Sequence, residues 1–304
     1  MEKIAVLMST YNGEKYLIEQ IESVLNQKGI EVHLFVRDDG SSDNTKQILE
    51  NYKNQSALQV EYGENLGYGK SFFKLVSDID NFDYYAFCDQ DDVWDNDKLI
   101  IAVKKIQECP ENMPVLYYSA LRTVDKNLKF LRNQFDNYEI PLSNALEEAL
   151  LYSHAYGCTC VFNKKTRALL TKYEMDNFYA HDLNINMVAS GLGYTIFDKE
   201  PHLSYRQHEG NCFGFPWSSW KNLKKAVKFY KEVESKNMRL KEIDKFKNLF
   251  YSLLSEKNKN FVDMVSNYKI NKIAKKNLLK NKDIRRKSGI TNLYFRYLIK
   301  TNKF

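Results

Sequence analysis

The first hundred residues alternate between short apolar runs and longer segments in which apolar residues recur at helical spacing. The strand-like runs cover residues 3–8, 32–37, 58–62 and 84–88. The helix-like segments cover residues 14–27, 42–53, 70–79 and 97–109. Because strands that alternate with helices form parallel sheets with right-handed crossovers, this pattern predicts an α/β fold with a mainly parallel sheet flanked by helices.

Each of the four predicted strands is followed by a short polar segment. These segments are STYNGE (9–14), DDGSSDNT (38–45), GENLGYGK (63–70) and DQDDVW (89–94). In an open parallel sheet, the loops after the strands lie at the carboxyl edge, where ligands bind. One such loop would mean little, but four in succession predict a single crevice lined by polar side chains.

The fourth segment begins a run of five carboxylates within nine residues. They are Asp89, Asp91, Asp92, Asp95 and Asp97. Like charges this close repel each other unless a cation or hydrogen-bond donors hold them. Mg²⁺ and Mn²⁺ prefer oxygen ligands and complete their shells with phosphate oxygens and water, so the run indicates a divalent metal site that faces a diphosphate.

The acidic run has two other interpretations. A calcium-binding EF-hand is excluded, because Trp94 stands where that loop needs Gly and Ile100 stands where it needs a bidentate Glu. A solvated acidic loop that caps the following helix stays open, and it suits Asp95 and Asp97 well.

The other three polar segments suggest contacts with a nucleotide. Tyr11 can stack on a base while Thr10 and the nearby backbone form hydrogen bonds to it. Asp38 and Asp39 are acceptors suited to an imide N–H or a ribose hydroxyl. The glycines of the third segment allow close backbone approach, and Lys70 can reach a phosphate.

The four segments, in this order and spacing, resemble the donor-binding half of a family 2 glycosyltransferase with the GT-A fold, over roughly residues 3–210. The stretches that carry the resemblance are STYNGEKYLIEQIESVLNQ, VRDDGSSDNT, ENLGYGKSF and CDQDDVWDNDKL. The resemblance implies a Rossmann-like, mainly parallel sheet and an inverting transfer from a nucleotide sugar. DQDD corresponds to the D-x-D motif of that family, with Asp91 as ligand of Mg²⁺ or Mn²⁺. The nucleotide-sugar contacts that it implies are Thr10, Tyr11, Asn12, Glu14, Asp38, Asp39, Asn65, Gly67, Lys70, Asp89, Gln90 and Asp92.

Two later motifs extend the resemblance. FYAHDLNINMVASGLG (178–193) places Asp182 where this family carries its catalytic base, although Asp182 could instead cap its own helix, which we expect to end at Gly193. LSYRQHEGN (203–211) is similar to the closing element of rhamnosyltransferase-like members that build bacterial surface polysaccharides. His208 is then a metal or phosphate ligand, or a surface histidine. Arg206 pairing with phosphate is equally open.

The donor implied by the resemblance is dTDP-L-rhamnose, and the acceptor is a growing bacterial surface polysaccharide or a lipid-linked glycan. A UDP-hexose or UDP-N-acetylhexosamine transferase of the same family is an alternative, as is a non-catalytic module that binds a nucleotide sugar or glycan. A nucleotidyltransferase would want a Gly-rich loop with Lys or Arg soon after the first strand, and STYNGE does not provide one.

The chain ends in a strongly basic region. Residues 217–304 contain 24 Lys and Arg against 7 Asp and Glu, whereas residues 1–216 contain 21 against 32. Aromatic residues are interleaved with the cations in WSSWKNLKKAVKFYK (217–231) and NLYFRYLIK (292–300), a pattern that favours contact with an anionic membrane surface. The same aromatics could pack the helices onto the body or onto a second subunit, giving a homo-oligomer. No nucleic-acid-binding module is recognisable, so no nucleic acid partner is expected.

These features predict a GT-A domain over 1–215, with a nucleotide-sugar half of about 1–110 and an acceptor half of about 111–215. An α-helical, basic C-terminal region follows over 216–304. We interpret the apolar N-terminus as a first strand, and no apolar run reaches the ~18 residues that a membrane span needs. The five cysteines form an odd set without zinc-type spacing, which favours reduced structural thiols. We therefore expect a cytoplasmic protein, peripheral on the inner face of the cell membrane.

Overall fold

A computed structural model of the 304-residue chain describes two compact units. The described residues are 1–134, 146–151, 155–175, 178, 180–208, 238–281 and 289–303. The first unit comprises Met1–Asp136 with Ser153–Arg206, and the second comprises Asn137–Tyr152 with Gln207–Phe304. The aromatic and basic segment 217–231 and Cys212 lie outside the described residues.

The first unit is built on one mixed sheet. Its strands are β1 (Lys3–Thr10), β2 (Glu31–Asp38), β3 (Gln59–Tyr62), β4 (Tyr84–Cys88), β5 (Val93–Trp94), β6 (Val115–Val124), β7 (Phe130–Asn133), β8 (Val161–Asn163) and β9 (Tyr194–Arg206). Its helices are α1 (Leu17–Leu25), α2 (Thr45–Asn54), α3 (Tyr68–Asp78), α4 (Lys98–Gln107), α6 (Lys164–Leu170) and α7 (His181–Leu192), with α5 (Leu146–Leu151) assigned to the second unit. The α/β fold predicted from the sequence is confirmed.

The order of the strands places the four polar loops at one edge of the sheet. The order is β3-β2-β1-β4-β8-β6-β9-β5, with β7 paired to β6. Strand β1 pairs in parallel with β2 on one side and β4 on the other, and β2 pairs in parallel with β3. Thr10 lies opposite Asp38, and Met8 lies opposite Cys88, so the loops after these strands leave the sheet side by side. The polar loops therefore lie together at one edge of the sheet, where the crevice was predicted.

Strand β1 is buried on both of its faces, which explains why it could be predicted from the sequence. Ile4, Val6 and Met8 on one face of β1 are buried, and Ala5 and Leu7 on the other are buried as well. A strand covered on both faces gives a continuous apolar run rather than an alternating one. At roughly 1.5–3 kcal/mol for each fully buried aliphatic side chain, this burial stabilises the position of the central strand.

Two predicted helix ends had different outcomes. The segment 42–53 was expected to form a helix from residue 42, but α2 begins at Thr45, after Asn44, and Ser41 is bonded to Asp38. The end of α7 at Gly193 is confirmed. A Cβ at Gly193 would lie 2.0 Å from the carbonyl oxygen of Pro114, which leaves room only for glycine.

The second unit is helical, as predicted for the C-terminal region. Besides α5, the helices among its described residues are α8 (Met238–Phe250), α9 (Glu256–Asn267), α10 (Lys272–Lys280) and α11 (Gly289–Lys300). Phe246, Phe250 and Phe261 are buried, and Lys257 pairs with the buried Glu147 of α5 at 2.9 Å. Among the described helices, none is long and apolar enough to cross a membrane.

Candidate functional site

The first and fourth loops are joined by the side-chain amide of Gln90. The Tyr11 N–H donates to Oε1 of Gln90 at 2.9 Å, and Nε2 of Gln90 donates to the Tyr11 carbonyl at 3.1 Å. A Cβ at Gly13 would lie 2.2 Å from Oε1, so glycine is needed for this approach. The pair fixes the backbone of Tyr11 and leaves its side chain 49% exposed, as stacking on a base would require.

Asp38 closes the second loop from inside the protein. This buried carboxylate accepts hydrogen bonds from the Ser41 N–H at 3.0 Å, from the Ser41 hydroxyl, and from Thr10 Oγ1 at 3.3 Å. A carboxylate with several donors holds its turn rigidly. Direct contact of Thr10 and Asp38 with a nucleotide stays a prediction, since both are enclosed here.

Asp39 joins the second loop to the third. It forms a buried ion pair with Arg37, and it accepts from the N–H groups of Leu66 and Gly67, each at 2.9 Å. Gly67 has a φ of 80°, a conformation that glycine adopts without strain. Asp39 therefore sets the position of the glycine-containing loop from which Asn65, Gly67 and Lys70 were predicted to approach a nucleotide.

Asn12 and Glu14 also hold the crevice loops together. Oδ1 of Asn12 accepts from the Ser42 N–H at 2.8 Å, and Oε2 of Glu14 accepts from the Asn44 N–H at 2.9 Å. Asn12 adopts a positive φ of 48°, which Asn tolerates better than most residues. Both side chains bridge the first loop to the second, which is a positioning role that their sequence neighbours do not reveal.

In the acidic loop, residues 89–97, Asp89 and Asp92 lie close to Cys158. One ligand atom from each lies within 4.8 Å of the others. Oδ1 of Asp92 accepts from the Arg206 N–H at 3.1 Å, while its buried Oδ2 has no hydrogen-bond partner among the described residues. An unpartnered buried carboxylate oxygen costs free energy unless a proton or a cation meets it. The loop therefore fits a divalent cation by its donor set.

This group differs from the predicted one. The sequence assigned Asp91 to the metal and Asp89 and Asp92 to the nucleotide sugar, and Cys158 was taken as a structural thiol. Asp91 is half-buried, and its carbonyl accepts from Nε of Arg206 at 2.9 Å. Carboxylates suit Mg²⁺ or Mn²⁺, whereas a thiolate ligand suits softer metals. Asp91 stays the predicted ligand, with Asp89 and Asp92 beside it.

Burial and mutual repulsion raise the pKa values of two carboxylates in the acidic loop. Burial, together with the charges of Asp91 and Asp182, raises the pKa of Asp89 to about 7. Burial and the charges of Asp91 and Asp89 also raise the pKa of Asp92 well above its usual range. Carboxylates with raised pKa values gain most from a nearby cation, because it stabilises their charged form.

Lys98, a residue that sequence reasoning missed, lies beneath this loop. It is fully buried as the first residue of α4, and its Nζ lies 3.8 Å from the ring centre of Trp94 with no hydrogen-bond partner among the described residues. Burial lowers its pKa to about 8, opposed by the charges of nearby thiols and of Asp92. Lysine is rarely buried without a partner, but no local pattern in DNDKL shows that the chain folds over it.

Arg206 anchors the acidic loop from the end of β9. Only 2% of this residue is exposed, its Nη1 donates to the Lys126 carbonyl at 2.9 Å, and it pairs with Glu19 of α1. The guanidinium also lies 4.5 Å from the ring centre of Tyr16. Since its donors are used within the protein, the suggestion that Arg206 pairs with a substrate phosphate does not agree with this structure. His208 belongs to the second unit, and its role as a ligand stays a prediction.

Helix α7 presents Asp182 from a tightly packed first turn. The buried His181 ring lies 4.1 Å from the ring centre of Phe72 and 4.8 Å from that of Phe87, which belongs to β4. A Cβ at Gly157 would lie 2.0 Å from Nε2 of His181. Asp182 is close enough to Asp89 for its charge to raise the pKa of Asp89. The packing of His181 thus brings the predicted base toward the acidic loop.

The alternative role of Asp182 as a helix cap is wrong. Helix α7 starts at His181, and the cap position is Ala180, which gives no side-chain hydrogen bond. Asp182 lies within the first turn, where its Oδ1 accepts from the adjacent Leu183 N–H at 2.8 Å. A carboxylate there also gains from the positive end of the helix dipole, which favours its charged form.

We predict that His181 makes the protein sensitive to acid. Burial lowers the pKa of His181 to about 3, so below pH ~6.5 the unfolded chain takes up a proton that the folded chain does not. This contribution to stability is complete above pH ~6.5 and falls by about 1.4 kcal/mol per pH unit as the pH decreases. Urea denaturation gives the free energy of unfolding at pH 7 and at pH 5. The decrease between these two pH values should be smaller by about 2 kcal/mol in His181→Phe than in the wild type. An equal difference in both proteins would contradict the prediction.

Comparison with known proteins identifies the family. Residues 5–165, over half of the chain, match the family model described as Glycosyl transferase family 2. The chain belongs to glycosyl transferase family 2. This glycosyltransferase is 33% identical over 226 residues to the dTDP-rhamnosyl transferase RfbG of Shigella flexneri, covering 68% of this chain and 73% of RfbG. It is 34% identical over 235 residues to TuaG of Bacillus subtilis, provisionally named for teichuronic acid biosynthesis, covering 76% of this chain and 88% of TuaG.

Solved structures agree with the family at the level of fold. The glycosyltransferase is similar to Staphylococcus aureus TarS 1–349 in complex with UDP-GlcNAc, with a TM-score of 0.58 and 20% sequence identity. The match covers 93% of this chain and 77% of the TarS chain. The UDP complex of TarS gives a TM-score of 0.56 at 18% identity. The predicted GT-A fold is thus confirmed.

Proposed function

We propose that this glycosyltransferase catalyses a metal-dependent, inverting transfer of a sugar from a nucleotide sugar to a hydroxyl group of a glycan. The observation that carries the proposal is the approach of Asp182 on α7 to Asp89 in the acidic loop, close enough for one charge to shift the pKa of the other. A module that only binds a nucleotide sugar has no need of a second carboxylate near Asp89. Asp89 follows β4 at the carboxyl edge of the sheet, where ligands bind, which supports a reaction there.

The proposed donor is dTDP-L-rhamnose. This choice is supported by the name of RfbG and by its 33% identity to this chain. TarS was solved with UDP-GlcNAc and with UDP, which supports a nucleotide-sugar donor and keeps a UDP-hexose or UDP-N-acetylhexosamine as the alternative. The name of TuaG, which refers to teichuronic acid biosynthesis, supports a bacterial surface polysaccharide as acceptor, and a lipid-linked glycan is the alternative.

The chemistry follows from the residues around the crevice. A hydroxyl oxygen of the acceptor forms a bond to the anomeric carbon while the bond from that carbon to the diphosphate breaks, and the configuration at the carbon inverts. Asp182 accepts the hydroxyl proton as the new bond forms. Binding donor and acceptor in line supplies a further part of the rate acceleration.

The protein also positions the leaving nucleotide. Tyr11 offers an exposed ring, and Gln90 fixes its backbone at the mouth of the crevice. A divalent cation held by Asp91, with Asp89 and Asp92 beside it, would stabilise the charge of the diphosphate. Cys158 also lies within this group, but carboxylates are the ligands that Mg²⁺ and Mn²⁺ prefer, so the aspartates are the proposed ligands.

We place the enzyme in the cytoplasm, where it binds peripherally to the inner face of the cell membrane through residues 217–304. The excess of 24 Lys and Arg over 7 Asp and Glu in residues 217–304 supports this location. A lipid-linked acceptor would lie at the same surface. Anionic leaflets attract such basic segments by roughly 1 kcal/mol per cation near the surface.

The reaction is tested by incubating the enzyme and Mn²⁺ with each candidate nucleotide sugar and an acceptor glycan extract. Proton NMR of the product then gives the anomeric configuration. Transfer of one sugar with inversion supports the proposal. Retention of configuration would contradict the mechanism, and donor binding without transfer to any acceptor glycan would favour the non-catalytic module.

A further inference from the structure

The second unit contains an open groove between α10 and α11 that is lined almost entirely by cations. Its volume is about 530 Å³. The lining residues are Lys272, Lys275, Lys276, Leu279, Lys280 and Arg296. No carboxylate is among them. The groove is wide enough for more than one phosphate-sized anion, and its charge is of a single sign.

Two of the six lining residues brace the groove. Nζ of Lys275 donates to the Lys300 carbonyl at 2.7 Å and to Oδ1 of Asn302 at 2.9 Å. Nη1 of Arg296 donates to the Leu279 carbonyl at 2.9 Å. These bonds connect α10 to α11 and satisfy carbonyl groups near the ends of both helices. The groove is therefore held open by the protein's own hydrogen bonds.

The other three cations face solvent along one side of α10. Lys272, Lys276 and Lys280 are exposed and follow each other at intervals of four residues, so they form a stripe on one helix face. In the part of the chain that the structure describes, none of the three has an ion-pair partner. Three like charges in a row destabilise a helix slightly unless anions approach them.

Large apolar side chains are exposed beside the cationic stripe. Ile270 is 86% exposed and Ile273 is 70% exposed, at the start of α10. On α11, Leu293 is 70% exposed and Tyr297 is 51% exposed, four residues apart on the face that also carries Arg296. Exposed apolar groups gain free energy when they leave water, in proportion to the area removed. A soluble anion would contact the cations but would gain nothing from the exposed apolar side chains beside them.

We propose that the α10–α11 groove and its exposed apolar side chains bind the phosphate groups of anionic lipids at a membrane surface. The lysines contact headgroup phosphates, and Ile270, Ile273, Leu293 and Tyr297 enter the boundary between headgroups and acyl chains. The combination of a cationic stripe with adjacent apolar groups is what an amphipathic membrane-surface element requires. This inference rests on the proposed membrane association and assigns it to a defined surface.

The test uses the full chain and vesicles, without any nucleotide sugar, so its result is independent of the donor and of catalysis. Co-sedimentation is measured with phosphatidylcholine vesicles and with vesicles of phosphatidylcholine and phosphatidylglycerol at about three to one, at low ionic strength. At roughly 1 kcal/mol per cation, Lys272→Gln with Lys276→Gln should weaken binding to the anionic vesicles about 30-fold. The control is Lys104→Gln with Lys241→Gln, which removes two exposed lysines outside the groove and should change binding less than threefold by the same measure.

A second pair of variants separates a lipid from a free anion. Ile273→Ser with Leu293→Ser keeps the charge and should also weaken vesicle binding about tenfold or more, because about 25 cal/mol per Å² of apolar burial is lost. Both changes are at exposed positions, so the fold should tolerate them, and circular dichroism checks this. Equal losses in the groove and control lysine pairs would overturn the proposal. So would tight binding of inorganic diphosphate together with unchanged vesicle binding of the serine pair, or self-association of the chain through these side chains in sedimentation equilibrium.

Discussion

Replacing Asp182 with Asn is expected to lower the rate of sugar transfer by about 10²–10⁴-fold while the affinity for the nucleotide sugar stays within a few fold. The side chain is proposed to accept the acceptor's proton only as the new bond forms, so its loss affects the transition state and not donor binding. Asn keeps an Oδ1 atom that can accept from the Leu183 N–H, which preserves the first turn of α7. Single-turnover kinetics and calorimetry of the donor, measured on the same preparations, separate the two effects.

The control for this substitution is Asp78→Asn. Asp78 ends α3 and pairs with Lys74 on the surface, so this change removes one carboxylate without touching the proposed machinery. Exposed ion pairs contribute only about 0–1 kcal/mol to the free energy of unfolding, so the fold should be kept. The transfer rate of this variant should therefore stay within twofold of the wild type. A wild-type rate in Asp182→Asn would exclude Asp182 as the base. It would also favour the alternative in which the crevice only binds.

Replacing Arg206 with Met is expected to reduce the free energy of unfolding by about 2–4 kcal/mol. The change leaves the carbonyls of Asp91 and Lys126 without their donors and removes the guanidinium from the ring of Tyr16. Each of these hydrogen bonds is made by a charged donor that is only 2% exposed, and such a bond contributes about 1.5–3 kcal/mol. Urea denaturation measures the loss, and donor affinity should fall as well because the acidic loop loses its anchor.

Two further substitutions separate the causes. Arg206→Lys keeps the charge but has no planar fork, so it should recover less than half of the lost stability. Glu19→Gln removes the partner of Arg206, but the Glu19 side chain is half exposed, so its loss should be below about 1 kcal/mol. If Arg206→Met changed stability by less than 0.5 kcal/mol, roughly the effect of an ordinary surface substitution, the anchoring role would be contradicted.

The parallel half of the sheet was predictable because its signals are local. The strands β1, β2 and β4 are five to eight residues long, most of their residues are buried, and each strand is followed by a segment with helical periodicity. Right-handed crossovers then leave few arrangements for such a chain. Their parallel order places the polar loops on one edge, so the existence of a crevice followed from the topology without any knowledge of its contacts.

The second half of the sheet could not be predicted in the same way. Val115 pairs with Tyr194, and Val93 of the two-residue β5 pairs with Ser204, across separations of about eighty residues or more. No pattern within either segment specifies the partner. The register shift between Ser119 and Ala120 is likewise a result of packing.

The roles of individual site residues depended on the same long-range contacts. The sequence selected Gln90, Asp38 and Asp39 as nucleotide contacts, and the structure shows what else they do: each holds a neighbouring loop in place. Cys158 was taken as a structural thiol because the cysteines lack the spacing of a zinc site, and only the fold brings its thiol to Asp89 and Asp92. A side chain that positions a site and one that contacts the ligand have the same residue type, so sequence alone did not separate them.

The central claim is that the acidic loop binds a nucleotide sugar through a divalent cation, and calorimetry tests it most directly. dTDP-L-rhamnose, UDP-glucose, UDP-galactose and UDP-GlcNAc are each titrated into the wild type and into Asp91→Ala, with Mn²⁺ and then with EDTA. We predict that one donor binds with Mn²⁺, and that EDTA or the substitution weakens this binding at least tenfold, about 1.4 kcal/mol. If no donor binds in the presence of Mn²⁺, or if binding is unchanged by both EDTA and Asp91→Ala, the claim is contradicted.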